Sequence, residues 1–193
     1  VVKKILLEEN IDVSNGPLIG ISVSQSIASF AKSEERHNWY VGLMAQVADY
    51  LIDKLNATVI FVPEVIGPGK AFDDRVIGTL ILDRVNHKDR NLCITSEYQP
   101  EELRGLIRQC DLFIGARMHA NIAALSMHVP TVAISYSHKT PGIMRMLGME
   151  EYALDFRNMT FEELKGKIDD AWENREEIRK DLKLKMEAVR NQA

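Results

Sequence analysis

Short apolar runs at Leu18–Val23, Thr58–Val62, Leu92–Ile94, Asp111–Ile114 and Thr131–Ile134 punctuate this chain, and between them apolar residues recur at three- and four-residue spacing. Runs this short, apolar throughout and closed by Gly, Pro or polar residues, suit strands buried on both faces; the spaced stretches suit amphipathic helices. Strands alternating with helices through short connections predict an α/β fold, a parallel sheet with helices on both faces. Trp39 or Tyr40, with Leu43, Val47, Tyr50 and Leu51, mark one helix, with Asn38 as its expected cap and Asn56 as its stop. Asp73-Asp74 opens a second, whose expected buried stripe is Val76, Ile77, Leu80, Ile81 and Val85. Pro100-Glu101-Glu102 opens a third, with Leu103, Leu106, Ile107 and Cys110 on its inner face. A short helix is expected over Pro141–Leu147 and a sixth strand at Tyr152–Leu154. Thr160 and Glu163 form a capping box that opens a long helical segment, with a break near Asn174-Arg175.

The stretch Asp111–Gly148 concentrates the polar chemistry. The strand ending at Gly115 is followed at once by Arg117 and His119, at the start of a helix where free N–H groups and the positive end of the macrodipole favour an anion. The next strand ends at Ser135-Tyr136-Ser137, with His138 and Lys139 behind it, and Ser24-Gln25-Ser26 emerges at the end of the first strand. Open α/β sheets bind ligands at this edge. Each residue alone has an ordinary reading as a solvated charge or an ion-pair partner. Arg117, His119 and Lys139 together point to an anionic ligand. His37, His87 and His128 lie in charged or helix-end surroundings that explain them without a role.

The 193 residues, 46% of them hydrophobic, fit one domain with a full core, residues 18–193, preceded by a lead-in or linker over 1–17 that Asn15-Gly16-Pro17 separates. A net charge of −4 leaves no general attraction for nucleic acid, so none is expected as a partner. Cys93 and Cys110 sit in apolar segments without metal spacing, and read as buried free thiols of a reducing compartment. No apolar run is long enough to span a membrane, and Val1-Val2-Lys3-Lys4-Ile5 does not read as a signal peptide, so a cytoplasmic protein is expected. Fingerprints for dinucleotides, P-loop nucleotides, HExxH metals and the nucleophile elbow do not occur, and no metal is expected.

Gly115-Ala116-Arg117-Met118-His119-Ala120, followed by Ala123-Ala124-Leu125, Val129-Pro130, Ile134-Ser135-Tyr136, Lys139 and Leu147-Gly148, resembles the signature of the polysaccharide pyruvyl transferases. The resemblance implies the C-terminal Rossmann-like half of a glycosyltransferase-B-like enzyme, with an N-terminal partner domain that these residues do not contain. It implies transfer of the pyruvyl group of phosphoenolpyruvate to two hydroxyls of a sugar or lipid-linked glycan acceptor, giving a ketal and phosphate. No cofactor is implied. His119 would handle the proton, Arg117 would act beside it, and Arg117, Lys139, Ser24, Gln25, Tyr136 and His138 would hold substrate. The chain departs from the family pattern where Ser24-Gln25-Ser26 replaces a strong anion binder, and where Glu64 stands for a His after the proline ending the second strand. A nucleotide-sugar glycosyltransferase of the same architecture and a non-catalytic interaction domain are the alternative classes. The C-terminal segment is expected to leave Trp172 or Ile178 uncovered, which self-association into a homo-oligomer would bury.

Overall fold

The computed structural model describes residues 2–27, 31, 33–137 and 139–192. Helix α1 (Val2–Glu8) precedes β1 (Leu18–Ser22), α2 (Glu34–Leu55), β2 (Thr58–Phe61), α3 (Asp74–Leu82), β3 (Asn91–Cys93) and α4 (Pro100–Ile107). Then come β4 (Leu112–Gly115), α5 (Met118–Ser126), β5 (Thr131–Ser135), α6 (Lys139–Met146), a 3-10 turn (Glu150–Tyr152), β6 (Ala153–Asp155), α7 (Phe161–Glu173) and α8 (Arg175–Gln192). The strands form one parallel sheet in the order β3-β2-β1-β4-β5-β6, a Rossmann-like α/β arrangement. The order reverses between β1 and β4, so the loops after these strands diverge and leave a crevice at their C-terminal ends.

Alternation along the central strands builds a core on each face. Ile19, Ile21, Val59, Phe61, Leu112 and Ile114 point to the side covered by α2, α3, α7 and α8. Leu18, Ile60, Val62 and Phe113 point to the side covered by α1, α4 and α5. Gly20 is needed where the sheet is tightest: a Cβ there would lie 2.7 Å from Phe113 Cδ2 and 2.9 Å from Cys110 Sγ. Residues 2–11 pack against the domain, with Ile5 fully buried beside Leu106 and Ile107.

Three details differ from the sequence expectations. Helix α2 starts at Glu34, capped by Ser33, whose hydroxyl accepts from the Arg36 amide at 3.1 Å. Acidic Glu34 and Glu35 suit its first turn, while Asn38 instead accepts from Arg84 through both its carbonyl and its side chain. Leu80 faces solvent, because α3 turns only Ile77, Gly78 and Ile81 inward after Asp74. The C-terminal helices fold back on their own sheet: Ile178 is 6% exposed, Leu182 is fully buried, and half-buried Trp172 lies under the Arg175 guanidinium, 4.1 Å from its ring centre. The apolar surface expected to drive self-association is therefore covered at Ile178.

Candidate functional site

The C-terminal ends of β1, β2 and β4 are joined by one carboxylate. Asp74, the first residue of α3, has a fully buried side chain. Its Oδ1 accepts from the Gln25 backbone N–H at 2.8 Å and from Arg117 at 2.6 Å; its Oδ2 accepts from the N–H groups of Val65 at 2.9 Å and Glu64 at 3.3 Å, and from Arg117 Nε at 3.0 Å. A buried charge is tolerable when its lone pairs are filled this completely. Burial works against the charge on Arg117, but the Asp74 carboxylate and the nearby Tyr136 phenol outweigh it and hold the guanidinium's pKa above its ordinary value.

Arg117 is thus a structural pivot as well as a site residue. Two of its nitrogens are spent on Asp74, and Nη1 donates to Ser26 Oγ at 3.3 Å. The sequence read Asp74 only as a favourable charge at a helix start; a clue was available in its being one of two adjacent aspartates, since Asp73 already caps α3 through the Arg75 amide.

His119 lies exposed in the first turn of α5, two residues beyond Arg117. Arg117 occupies the cap position without capping the helix by its side chain, and the first turn holds no acidic residue. Lys139 is the first residue of α6, also exposed, with no acidic residue in the first turn and no hydrogen bond or ion pair among the described residues. A cation at a helix start opposes the macrodipole, so both helix starts gain from an anion placed between them.

The remaining candidates line the same edge. Ser24 is buried, with Oγ 3.4 Å from the Tyr136 hydroxyl, linking the ends of β1 and β5. Gln25 Oε1 is buried without a hydrogen-bond partner among the described residues. His138 lies outside the described residues. Beside Tyr136 a cleft of about 580 Å³ opens between the β5 and β6 ends, lined by Ser137, Pro141, Arg145, Asp155 and Arg157. At the turn into α5, Asn121 donates to the Gly115 carbonyl at 3.1 Å. This turn requires glycine, because a Cβ on Gly115 would fall 1.7 Å from Asn121 Oδ1. The helix closes with His128 in the left-handed region, φ 62°, where its N–H meets Leu125 O at 3.0 Å and the Val129 N–H meets Ala124 O at 2.9 Å.

Glu64, which the sequence marked only as a departure, lies at the same edge, its N–H on the Asp74 carboxylate. It is half-buried at the end of β2, and desolvation raises its carboxyl pKa above the ordinary 4.5; His119, Arg117 and Arg104 pull it down, while Asp74 adds to the rise. Because the folded pKa exceeds the unfolded one, the fold holds this proton more tightly, and the associated stability is full below pH 4.5 and lost as pH rises through the folded value. Glu64→Gln, which does not titrate, is therefore expected to raise the melting temperature at pH 7, with the gain shrinking toward zero below pH 4.5. Thermal melts across that range check the sign; a variant less stable than the parent at pH 7 contradicts it.

Residues 6–138 match the family model described as polysaccharide pyruvyl transferase. The chain belongs to that family. It is 33% identical over 118 residues, 61% of this chain and 28% of the relative, to the amylovoran biosynthesis protein AmsJ of Erwinia amylovora. Among solved structures it is similar to the spinosyn forosaminyltransferase SpnP, with a TM-score of 0.51, 14% identity, and coverage of 89% of this chain and 40% of that one. It is also similar to a UDP-forming alpha,alpha-trehalose-phosphate synthase from Burkholderia xenovorans, with a TM-score of 0.56, 11% identity, and coverage of 96% and 46%. At these identities the structural likeness shows the fold alone, that of part of a glycosyltransferase chain. The chain spans less than half the length of each of these relatives. Among the described residues no three His, Cys, Asp or Glu side chains gather as metal ligands, and no helix is long and apolar enough to cross a membrane.

Proposed function

We propose that the protein carrying this chain moves the pyruvyl group of phosphoenolpyruvate onto two hydroxyls of a sugar in a cell-surface polysaccharide or its lipid-linked precursor, leaving a cyclic ketal and releasing phosphate. The carrying observation is the pair of helix starts at one sheet edge, α5 with Arg117 and His119 and α6 with Lys139, in a member of this family. Phosphoenolpyruvate has two anionic groups, which two helix starts and a lysine suit. Because Arg117 spends two nitrogens on Asp74, its part toward substrate is to offer the Nη1 side and to hold the turn, and Lys139 becomes the main mobile charge. The biosynthetic name of AmsJ supports a polysaccharide product. The cleft beside Tyr136 is the nearest space for a sugar. A partner domain outside this chain would close the site, exclude water and orient the acceptor. The two free cysteines fit a cytoplasmic setting.

The deciding assay is phosphate release from phosphoenolpyruvate with a panel of sugar acceptors, on the full-length natural protein. Release that needs both substrates supports the reading; release of nucleoside diphosphate from a nucleotide sugar, or none with any acceptor, overturns it. Lys139→Ala is expected to weaken phosphoenolpyruvate binding by about 1.5–3 kcal/mol, the usual worth of a charge-assisted contact. An unchanged Kd by calorimetry would remove Lys139 from the donor site.

A further inference from the structure

We infer that Glu64 takes the proton from the attacking sugar hydroxyl while His119 gives one to the methylene carbon of the donor, an assignment that rests on the pyruvyl-transfer reading above. Glu64 follows Pro63 at the end of β2, and its backbone N–H donates to the carboxylate that also anchors Arg117, so one group, Asp74, ties it to the turn that presents His119. Glu64 is half-buried, and its carboxylate makes no hydrogen bond or ion pair among the described residues. That is unlike other carboxylates of the chain that are partly or fully buried. Asp74 takes five donors, Asp49 binds the Asn86 amide and side chain, and Glu9 accepts from Thr95 and Ser96. Structural carboxylates drawn from water normally find such partners, and one left without them is available to a substrate.

The groups that face it are His119 and Arg117 from the β4–α5 turn, Asp74 from α3 and Arg104 from α4. Burial raises its pKa, which makes it a better proton acceptor than a solvated carboxylate.

The reaction needs two such groups. As the first hydroxyl oxygen bonds to C2 of the donor, its proton passes to Glu64, the C2–C3 double-bond pair takes a proton from the His119 imidazolium, and C3 becomes a methyl. The C2–O bond to phosphate then breaks with its electron pair on the phosphate, which receives the proton held by Glu64. The second hydroxyl closes the ketal at C2 and returns its proton to His119. Both residues end as they began, one substrate proton rests on carbon and the other on phosphate. A single group cannot accept and donate in the first step.

The test compares the full-length natural protein with Glu64→Gln, a variant expected to fold at least as stably at pH 7. The expected result is a kcat lower by roughly 100- to 10,000-fold with donor Kd within twofold, and loss of the acidic limb from the pH–rate profile. Independently of turnover, the Glu64 carboxyl carbon should titrate at higher pH in His119→Ala, because the imidazole that lowers it is gone. A parent that releases no phosphate overturns the pyruvyl-transfer reading and this assignment with it. An active parent whose Glu64→Gln variant keeps kcat within threefold, or keeps the acidic limb, overturns this assignment alone. An unmoved Glu64 titration does so too.

Discussion

Asp74→Ala is expected to destabilise the fold by about 3–5 kcal/mol, the usual consequence of removing one partner from a buried ion pair. The carboxylate accepts five hydrogen bonds, and its loss strands the Arg117 guanidinium, whose side chain is only 13% exposed. It also frees three backbone N–H groups, of Gln25, Glu64 and Val65, that hold the loops after β1 and β2. Urea unfolding checks the magnitude, and a loss below about 1 kcal/mol would show that the carboxylate is not the anchor described. Arg117→Ala should cost a similar amount by leaving the buried Asp74 charge with backbone N–H donors but no cation. Weaker binding in that variant would therefore mix a displaced loop with a lost contact. The double variant should lose less than the two singles summed, because each single strands the other's charge.

His119→Ala should separate folding from chemistry. The residue is exposed and makes no hydrogen bond among the described residues, so its removal should change stability by no more than about 0.5 kcal/mol. Turnover of the full-length enzyme should fall by roughly 100- to 10,000-fold, as expected for the loss of an acid–base group, with the donor Kd little altered. A folded variant with normal turnover would deprive His119 of that role. Steady-state phosphate release beside a thermal melt gives both quantities from one preparation.

Periodicity alone revealed most of the fold. Continuous apolar runs and helical stripes are imprinted by burial, and here burial is simple: the four central strands, β2, β1, β4 and β5, are buried on both faces and the helices pack by one side. The start of α2 escaped because Ser33 and Asn38 are both competent caps, and the choice fell to a tertiary contact, Arg84 on Asn38. Leu80 lies at helical spacing from Ile77 and Ile81, but the inward face of α3 is narrow and closes on Gly78 instead. At the site, Arg117, His119 and Lys139 stood out because cations at helix starts are locally unfavourable. The partners that define them were hidden, since Asp74 is 43 residues from Arg117 in sequence and only the parallel sheet brings the ends of β1, β2 and β4 together. Glu64 was visible as an odd residue after a proline, but that its carboxylate has no hydrogen-bond partner among the described residues is a property of the folded chain.

The pairing of Arg117 with Asp74 also bears on how a substrate arrives. The formal charges of Glu64 and Lys139 are opposite, as are those of Asp74 and Arg117, and Arg104 facing Glu64 adds one positive charge. A rim whose charges nearly balance projects little potential into solvent, so diffusional encounter with an anionic donor would gain little from long-range steering. Its association rate should vary only weakly with ionic strength, and retention should depend on short-range dipoles at the two helix starts. An anionic donor would then be held on contact, by N–H groups whose pull reaches little beyond the first helical turn.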